Sequence, residues 1–317
     1  MASKNNGKTG PDSAPIVESN GAAEAEQGVR VGVRKAYKMY VGGAFVRSES
    51  GRYTQVVESP GATTKENVPK ASRKDARDAV VVARAAYDGW SARVAFNRGQ
   101  ILYRLAEMLE SRQVELIRSL EKGGLSSKQA TAEVTATIDR AIAYAGWTDK
   151  YQSLFSSLNP VGGPHFNFTV PESMGVVAIV APARPALLGL AGAILPVIAS
   201  GNTCVVLAGE ADPRTAIIFG EALATSDLPG GVVNILTGSV AEVLPHLAKH
   251  MEVSAIDLHG VDQALVKSTE DQGAGNVKRV RSRALSEQAW FDAASTESPR
   301  WIERFVEMKT IWHPAGA

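Results

Sequence analysis

The clearest hydrophobic pattern in the chain is an apolar run at residues 176–180, a longer one at 187–199 and a third at 203–207. The two short runs are rich in β-branched residues, which is typical of strands that a parallel sheet buries on both faces. The middle run is apolar on nearly all sides and is long enough for a crossover helix. This pattern predicts an α/β fold with a doubly wound parallel sheet. Ligands bind such sheets beyond the carboxyl ends of the strands, here at residues 181–184 and 207–210.

Upstream of the sheet, the pattern predicts a hairpin followed by helices. Residues 37–46 have apolar positions on both sides of a Gly-Gly pair, as a β-hairpin does. Ser72, with Asp75 three residues later, is a capping pair that marks the first of four amphipathic helices. Residues 37–147 and 175–285 together are therefore predicted to form the main α/β domain.

The segments outside that domain have other patterns. Residues 148–174 end in alternating apolar and polar positions, which predicts a long hairpin, from about residue 151 to 170, with one wet face. Residues 301–317 contain an apolar stretch, most of which we interpret as a final strand. Residues 286–300 have no apolar period and are interpreted as a linker.

The first 36 residues have almost nothing to bury and are interpreted as a disordered tail. A functional basic arm made by Arg30, Arg34 and Lys35 is the alternative interpretation of this segment.

Composition narrows the possible functions. The formal net charge is +1, which argues against nucleic acid as a partner. The chain has one cysteine, Cys204, so it cannot form an internal disulfide. No apolar run is long enough to cross a membrane, and the N-terminus has neither the apolar core of a signal peptide nor the composition of a transit peptide. We therefore expect a soluble, cytoplasmic protein.

No set of metal ligands is evident either. His246 and His250 lie four residues apart on a predicted helix, but no Cys or Asp stands near them in the sequence. We interpret the histidines as surface residues and expect no metal site.

Three motifs in register resemble one known family. They are Val-Ala-Ile-Val-Ala-Pro182, Ser-Gly-Asn-Thr-Cys-Val-Val-Leu207 and Leu-Pro-Gly-Gly-Val-Val-Asn-Ile-Leu-Thr-Gly238. Their order and spacing are similar to those of the NAD(P)-binding domain of aldehyde dehydrogenases, and the likeness extends from about residue 37 to 280. The resemblance implies a Rossmann-like fold and a thiolate that attacks an aldehyde before hydride passes to the cofactor. It places cofactor-binding positions at Val180, Ala181, Pro182, Ala208, Gly238 and Gly260.

The chain departs from the family at each catalytic position. The segment that carries the family's nucleophilic cysteine has no counterpart, and Cys204 lies in the middle of a predicted strand, as a small packed residue. The register puts Arg184 at the family's oxyanion-hole asparagine and Arg283 at its general-base glutamate. Arginine can donate a hydrogen bond but cannot act as a base. We therefore expect no catalytic residues.

The cofactor positions are altered as well. Ala208 stands where the family has a lysine that holds the adenosine ribose, and Gly260-Val261 replaces a Gly-Ser pair near the pyrophosphate. Gly238 and Ala181 are retained, although both also serve the fold. We expect no bound cofactor, with NAD or NADP as the candidates if one binds.

The resemblance also concerns assembly. The family builds an oligomerisation module from a hairpin before the sheet and a C-terminal strand, and residues 148–174 and 304–314 are similar to these two parts. The whole pattern is most similar to the non-catalytic second module of tandem aldehyde dehydrogenases. We therefore expect a homo-oligomer, or a hetero-oligomer with a catalytic aldehyde dehydrogenase.

Three functions fit these observations. The first is a non-catalytic subunit, that is, a pseudoenzyme. The second is an NAD(P)-dependent oxidoreductase that acts on aldehydes with an atypical or shared site. The third is a nucleotide sensor, which would bind the cofactor without turnover.

Overall fold

A computed structural model describes residues 33–315 of the chain. The strands are β1 Met39–Val41, β2 Ala44–Val46, β3 Tyr53–Val57, β4 Lys65–Pro69, β5 Ser157–Asn159, β6 His165–Ser173, β7 Val176–Val180, β8 Thr203–Leu207, β9 Val233–Leu236, β10 Val253–His259, β11 Arg279–Arg283 and β12 Val306–Pro314. The helices are α1 Arg73–Ser91, α2 Ala95–Ser111, α3 Gln113–Lys122, α4 Ser127–Trp147, α5 Tyr151–Phe155, α6 Leu188–Ala199, α7 Pro213–Leu223, α8 Val240–Ala248, α9 Gln263–Gly273, α10 Glu287–Trp290, α11 Ala293–Thr296 and α12 Arg300–Glu303.

The centre of the fold is a seven-stranded sheet in the order β11-β10-β7-β8-β9-β1-β2. The strands from β11 to β9 are parallel, and β1 joins the edge of β9 in the antiparallel direction. Every residue of β7, β8 and α6 is buried, as their continuous apolar runs require. The predicted doubly wound α/β sheet is confirmed.

The two faces of the sheet bury alternate residues of each strand. Val177 and Ile179 of β7 belong to the core cluster that also includes residues of α2, α4, α6 and α7. Val176 and Val180 belong to the cluster on the other face, which includes residues of α1, α8 and α9. The predicted helix start at Ser72 is confirmed, because Ser72 and Asp75 form both hydrogen bonds of a capping box.

A separate three-stranded sheet has the order β12-β6-β5, and β12 pairs with β6 over nine residues from Val306 to Pro314. The predicted hairpin is correct only in part. Residues 151–155 form helix α5 rather than a strand, with Tyr151 buried and Phe155, four residues later, packed against the same core. Trp301 likewise lies in helix α12 and not in the final strand.

The segment 286–300 contains two short helices, α10 and α11, and its Trp290 is 1% exposed. Of the predicted tail, residues 1–32 lie outside the described residues. The proposed boundaries of the tail, linker and β module stay predictions.

Candidate functional site

The carboxyl edge of the main sheet brings the predicted cofactor positions to one side of the molecule. Val180 ends β7, and the amide of Ala181, the next residue, donates to the Leu207 carbonyl at 2.9 Å. The Ala208 amide, after β8, donates to the Leu236 carbonyl of β9 at 2.9 Å. The positions that the sequence places at this edge are Val180, Ala181, Pro182, Ala208, Gly238 and Gly260.

The loops at this edge are packed against one another. A Cβ atom on Gly189 would lie 2.3 Å from Pro182 Cγ, so the proline ring covers the first turn of α6. A Cβ on Gly209 would lie 2.8 Å from the Pro182 carbonyl oxygen. Gly238 has a φ of +128°, and a Cβ there would lie 2.9 Å from the Ala71 amide nitrogen. These glycines are therefore explained by close backbone packing alone.

Helices α6 and α7 begin at this edge of the sheet, and carboxylate side chains of the chain itself cap their N-termini. Glu133, which is fully buried, accepts hydrogen bonds from the amides of Leu187 at 2.6 Å and Leu188 at 3.2 Å, where α6 begins. Burial raises the pKa of Glu133, against the opposing effect of these two bonds. At α7, Asp212 accepts from the Arg214 amide at 3.2 Å.

The N-termini of α8 and α9 are capped by carboxylate side chains in the same way. A carboxylate oxygen of Glu210 accepts from the Val240 amide at the start of α8. Asp262 caps α9 by accepting from the Leu265 amide at 2.9 Å. In doubly wound folds such helix N-termini bind phosphate groups, because their free N–H groups point at the ligand. Here a carboxyl group of the chain itself accepts a hydrogen bond from an amide at each of these four N-termini.

Arg184 and Arg283, at the positions aligned with the family's oxyanion-hole and general-base residues, have different partners. Arg184 is exposed and donates to the Gly123 carbonyl at 2.8 Å. Arg283 ends β11 and donates to Asp257 at 3.2 Å. Asp257 is fully buried and its second oxygen lies 2.8 Å from His259 Nε2.

Two tryptophans cover the ends of β10 and β11 beside this pair. The His259 ring lies 5.2 Å from the ring of Trp290 and 6.2 Å from that of Trp301, centre to centre. Trp290 also packs against α6, where a Cβ on Gly192 would lie 2.9 Å from its ring. The segment after β11 therefore fills the space above these strands.

Cys204 lies in the second position of β8, between β7 and β9, and is 0% exposed. Burial raises the pKa of its thiol far above the ordinary value. A thiol in this position is neither accessible nor ionised near neutral pH, in agreement with its interpretation as a packed core residue.

One face of the three-stranded sheet carries a row of apolar side chains. Phe168 of β6 lies opposite Leu158 of β5 and Ile311 of β12, so the three side chains share a face, together with Phe166 and Val170. Leu158 is 74% exposed and Phe166 is 56% exposed. Apolar side chains on a narrow sheet of this kind are typical of a surface that another molecule covers.

Comparison with known proteins identifies the family. Residues 45–284 match the Aldehyde dehydrogenase family. The chain belongs to this family. It is 30% identical over 254 residues to mitochondrial 10-formyltetrahydrofolate dehydrogenase of Mus musculus and 31% identical over 251 residues to retinal dehydrogenase 2 of Gallus gallus. The crystal structure of PnpE in complex with nicotinamide adenine dinucleotide is 27% identical and superposes with a TM-score of 0.75.

The likeness to this aldehyde dehydrogenase family is partial in length. The matches cover 78% of this chain but only 27% of the mouse protein and 48% of the chicken protein. For PnpE the match covers 79% of this chain and 51% of that chain. The chain therefore spans about half of retinal dehydrogenase 2 or PnpE, and the activities of these whole proteins do not transfer to it directly.

Sequence reasoning missed several residues of the site. Asp212 and Asp262 immediately precede helices, so the N-cap preference for Asp was a usable signal. Glu133 and Glu210 cap helices that lie far along the chain, and no local signal marks them. Within residues 33–315, no helix is long and apolar enough to cross a membrane. In the same range, no three His, Cys, Asp or Glu side chains are grouped so as to hold a metal ion.

Proposed function

We propose that this chain is a non-catalytic member of the aldehyde dehydrogenase family that works as a subunit of an assembly. The observation that carries the proposal is the position of Cys204, which is the sole cysteine of the sequence and is fully buried in β8. The family's reaction requires a thiolate that the substrate can reach. The arginine at position 283 supports the same conclusion, because a guanidinium cannot accept a proton as the family's general base does.

The capped helix N-termini support the absence of a bound dinucleotide. A pyrophosphate seated beside Glu210 or Asp262 would meet a carboxylate instead of free N–H groups. The alanine at position 208 offers no charged hydrogen bond to a ribose, a loss of about 1.5–3 kcal/mol. The single cysteine, which rules out an internal disulfide, is compatible with the cytoplasm as its compartment.

The apolar face of the three-stranded sheet is the proposed assembly surface. Its partner is a second copy of this chain or a catalytic aldehyde dehydrogenase. Native mass spectrometry of the protein alone, and mixed with a catalytic family member, tests this. We expect an oligomer in at least one of the two samples. A monomer that ignores such a partner at micromolar concentration would contradict the proposal.

Two variants make this test specific. Phe166→Asp places a charge on the apolar face and is expected to abolish assembly. Met308→Asp is the matched control, because Met308 lies opposite Pro171 on the other face of the same strand pair and is 48% exposed. Equal assembly of both variants would exclude this face as the interface.

The second candidate is an NAD(P)-dependent oxidoreductase with an atypical or shared site. The similarity to PnpE, whose structure contains nicotinamide adenine dinucleotide, favours it. Titration calorimetry with NAD and NADP at millimolar concentration separates the two functions. Binding with aldehyde oxidation supports the oxidoreductase, binding without turnover supports a nucleotide sensor, and no heat supports the non-catalytic subunit.

A further inference from the structure

Two arginines pack against the same tryptophan where the chain leaves α12. The guanidinium carbon of Arg283, at the end of β11, lies 4.0 Å from the centre of the Trp301 ring. That of Arg304, just after α12, lies 4.5 Å from the same centre. Trp301 itself is only 4% exposed, so both cations lie beside an apolar surface that water scarcely reaches.

These cations are poorly matched by carboxylates. Arg283 pairs with Asp257, but Asp257 is shared with His259. For Arg304, no carboxylate of residues 33–315 lies within ion-pair distance. Burial lowers the pKa of its guanidinium, and the more distant charge of Asp257 only opposes this effect. Arginine nevertheless remains protonated at neutral pH. Positive charge is therefore in excess around Trp301.

The same groups have hydrogen-bonding atoms left over. One buried terminal nitrogen of Arg283 and one of Arg304 have no hydrogen-bond partner, and neither does Nδ1 of His259. A buried donor of a charged group that lacks a hydrogen-bond partner costs more folding free energy than the ~1–3 kcal/mol of a neutral group. Uncompensated positive charge and donors without partners, in one place, are the features of an anion-binding site.

We propose that Arg283 and Arg304 form a binding site for a small oxyanion, phosphate or a phosphate monoester, at the rim of the Trp301 ring. Each guanidinium offers a planar fork of N–H groups, which matches the geometry of phosphate oxygens. The side chain of Arg283 is 13% exposed and Arg304 is half-buried, so both side chains remain partly accessible to solvent. Arg283 lies beside the capped start of α9, since its carbonyl oxygen accepts from the Gly260 amide at 2.8 Å.

Phosphate titration of the full-length protein tests the site. Inorganic phosphate and glycerol phosphate are added at constant ionic strength, with chloride as the reference, and binding is followed by calorimetry and by the fluorescence of Trp301. We expect saturable binding of phosphate and no response to chloride. Binding of glycerol phosphate alone would assign the site to esters, whereas binding of both would assign it to the free anion as well.

Arg304→Gln is expected to weaken phosphate binding at least ~10-fold, because a charged hydrogen bond is lost. Arg300→Gln is the matched control and should bind as the wild type does, since Arg300 is 70% exposed and pairs with Glu303 at 2.7 Å. If Arg304→Gln fails to fold, Arg304→Lys keeps the charge and stem without the fork and should still weaken binding. Equal affinity in wild type and both Arg304 variants, or no phosphate binding at 10 mM, would overturn the proposal in favour of ordered water at these donors.

Discussion

The buried carboxylate of Glu133 accepts a hydrogen bond of 2.6 Å from the backbone amide of Leu187. It thus joins helix α4 to the start of α6 across 54 residues of sequence. One of its oxygens, Oε2, is buried without a partner. The ionised form is therefore only half satisfied, which agrees with the raised pKa of this side chain.

The first prediction concerns pH. The folded pKa of Glu133 lies above the ordinary value of 4.5. The stability that this group contributes is therefore fully present below pH 4.5 and is lost as the pH rises through the folded pKa. Glu133→Gln imitates the protonated form and should lose less than ~1 kcal/mol at pH 5. Between pH 5 and pH 8 the free energy of unfolding of this variant should increase relative to that of the wild type, as measured by urea unfolding.

The control for this experiment is Glu133→Ala, which leaves the amides of Leu187 and Leu188 without an acceptor. It should cost about 1–3 kcal/mol at both pH values. A stability difference between Glu133→Gln and wild type that does not change with pH would contradict a raised folded pKa, because a shifted carboxyl group makes the stability of the wild type depend on pH.

The second prediction concerns Arg214, whose side chain is 2% exposed. Its guanidinium donates to Glu66 at 2.9 Å, to Asp212 at 2.8 Å and to the carbonyls of Val57 and Glu58. Arg214→Gln leaves Asp212 without its cation and Glu66 with Lys122 alone, and it should cost about 3–5 kcal/mol, measured by urea unfolding.

Arg112→Gln is the comparison for Arg214. Arg112 forms two ion pairs, with Glu115 and Glu221, but its side chain is 31% exposed. Its loss should cost less than ~1 kcal/mol. Similar costs for the two variants would mean that burial does not strengthen the Arg214 network.

The third prediction concerns the thiol. Native protein should not react with a disulfide reagent such as Ellman's on a scale of minutes, whereas the unfolded chain should release one equivalent, because Cys204 is the sole cysteine. Cys204→Ala should abolish that release and leave assembly unchanged. Rapid labelling of the folded protein would contradict the buried position and would reopen thiol catalysis.

The fourth prediction concerns the segment after β11. Trp290→Ala removes a side chain that packs between Gly192 and His259 and should cost about 3–5 kcal/mol in thermal or urea unfolding. Trp312→Ala removes an indole that is 61% exposed and should change stability by less than ~0.5 kcal/mol. A small loss of stability in Trp290→Ala would mean that the segment after β11 contributes little to the packing of the core.

The sequence was informative where burial is regular along one element. Strands β7 and β8 follow from their continuous β-branched runs, and α1 from its capping box. Helix α5 was mistaken for a strand, because five residues are too few to display a period. Trp290 stands in a segment without a period, so its burial follows from packing against α6 and not from local pattern.

The site divides in the same way. The edge positions such as Ala181 and Ala208 were placed correctly by strand order, since parallel strands bring their carboxyl ends together. The cluster of Asp257, Arg283 and Trp301 joins residues from β10, β11 and α12, and no spacing in the sequence relates them. Only the tertiary fold assembles such groups.

The pairing of β6 with β12 has a consequence for biosynthesis. His165 pairs with Pro314 and Ser173 with Val306, so β6 is synthesised long before β12, the strand with which it pairs. The main sheet, whose strands all precede β12, can begin to form during translation. Until β12 emerges, Phe166 and Phe168 belong to a nascent strand with one edge unpaired, and that interval is when the chain is most exposed to aggregation and to chaperones.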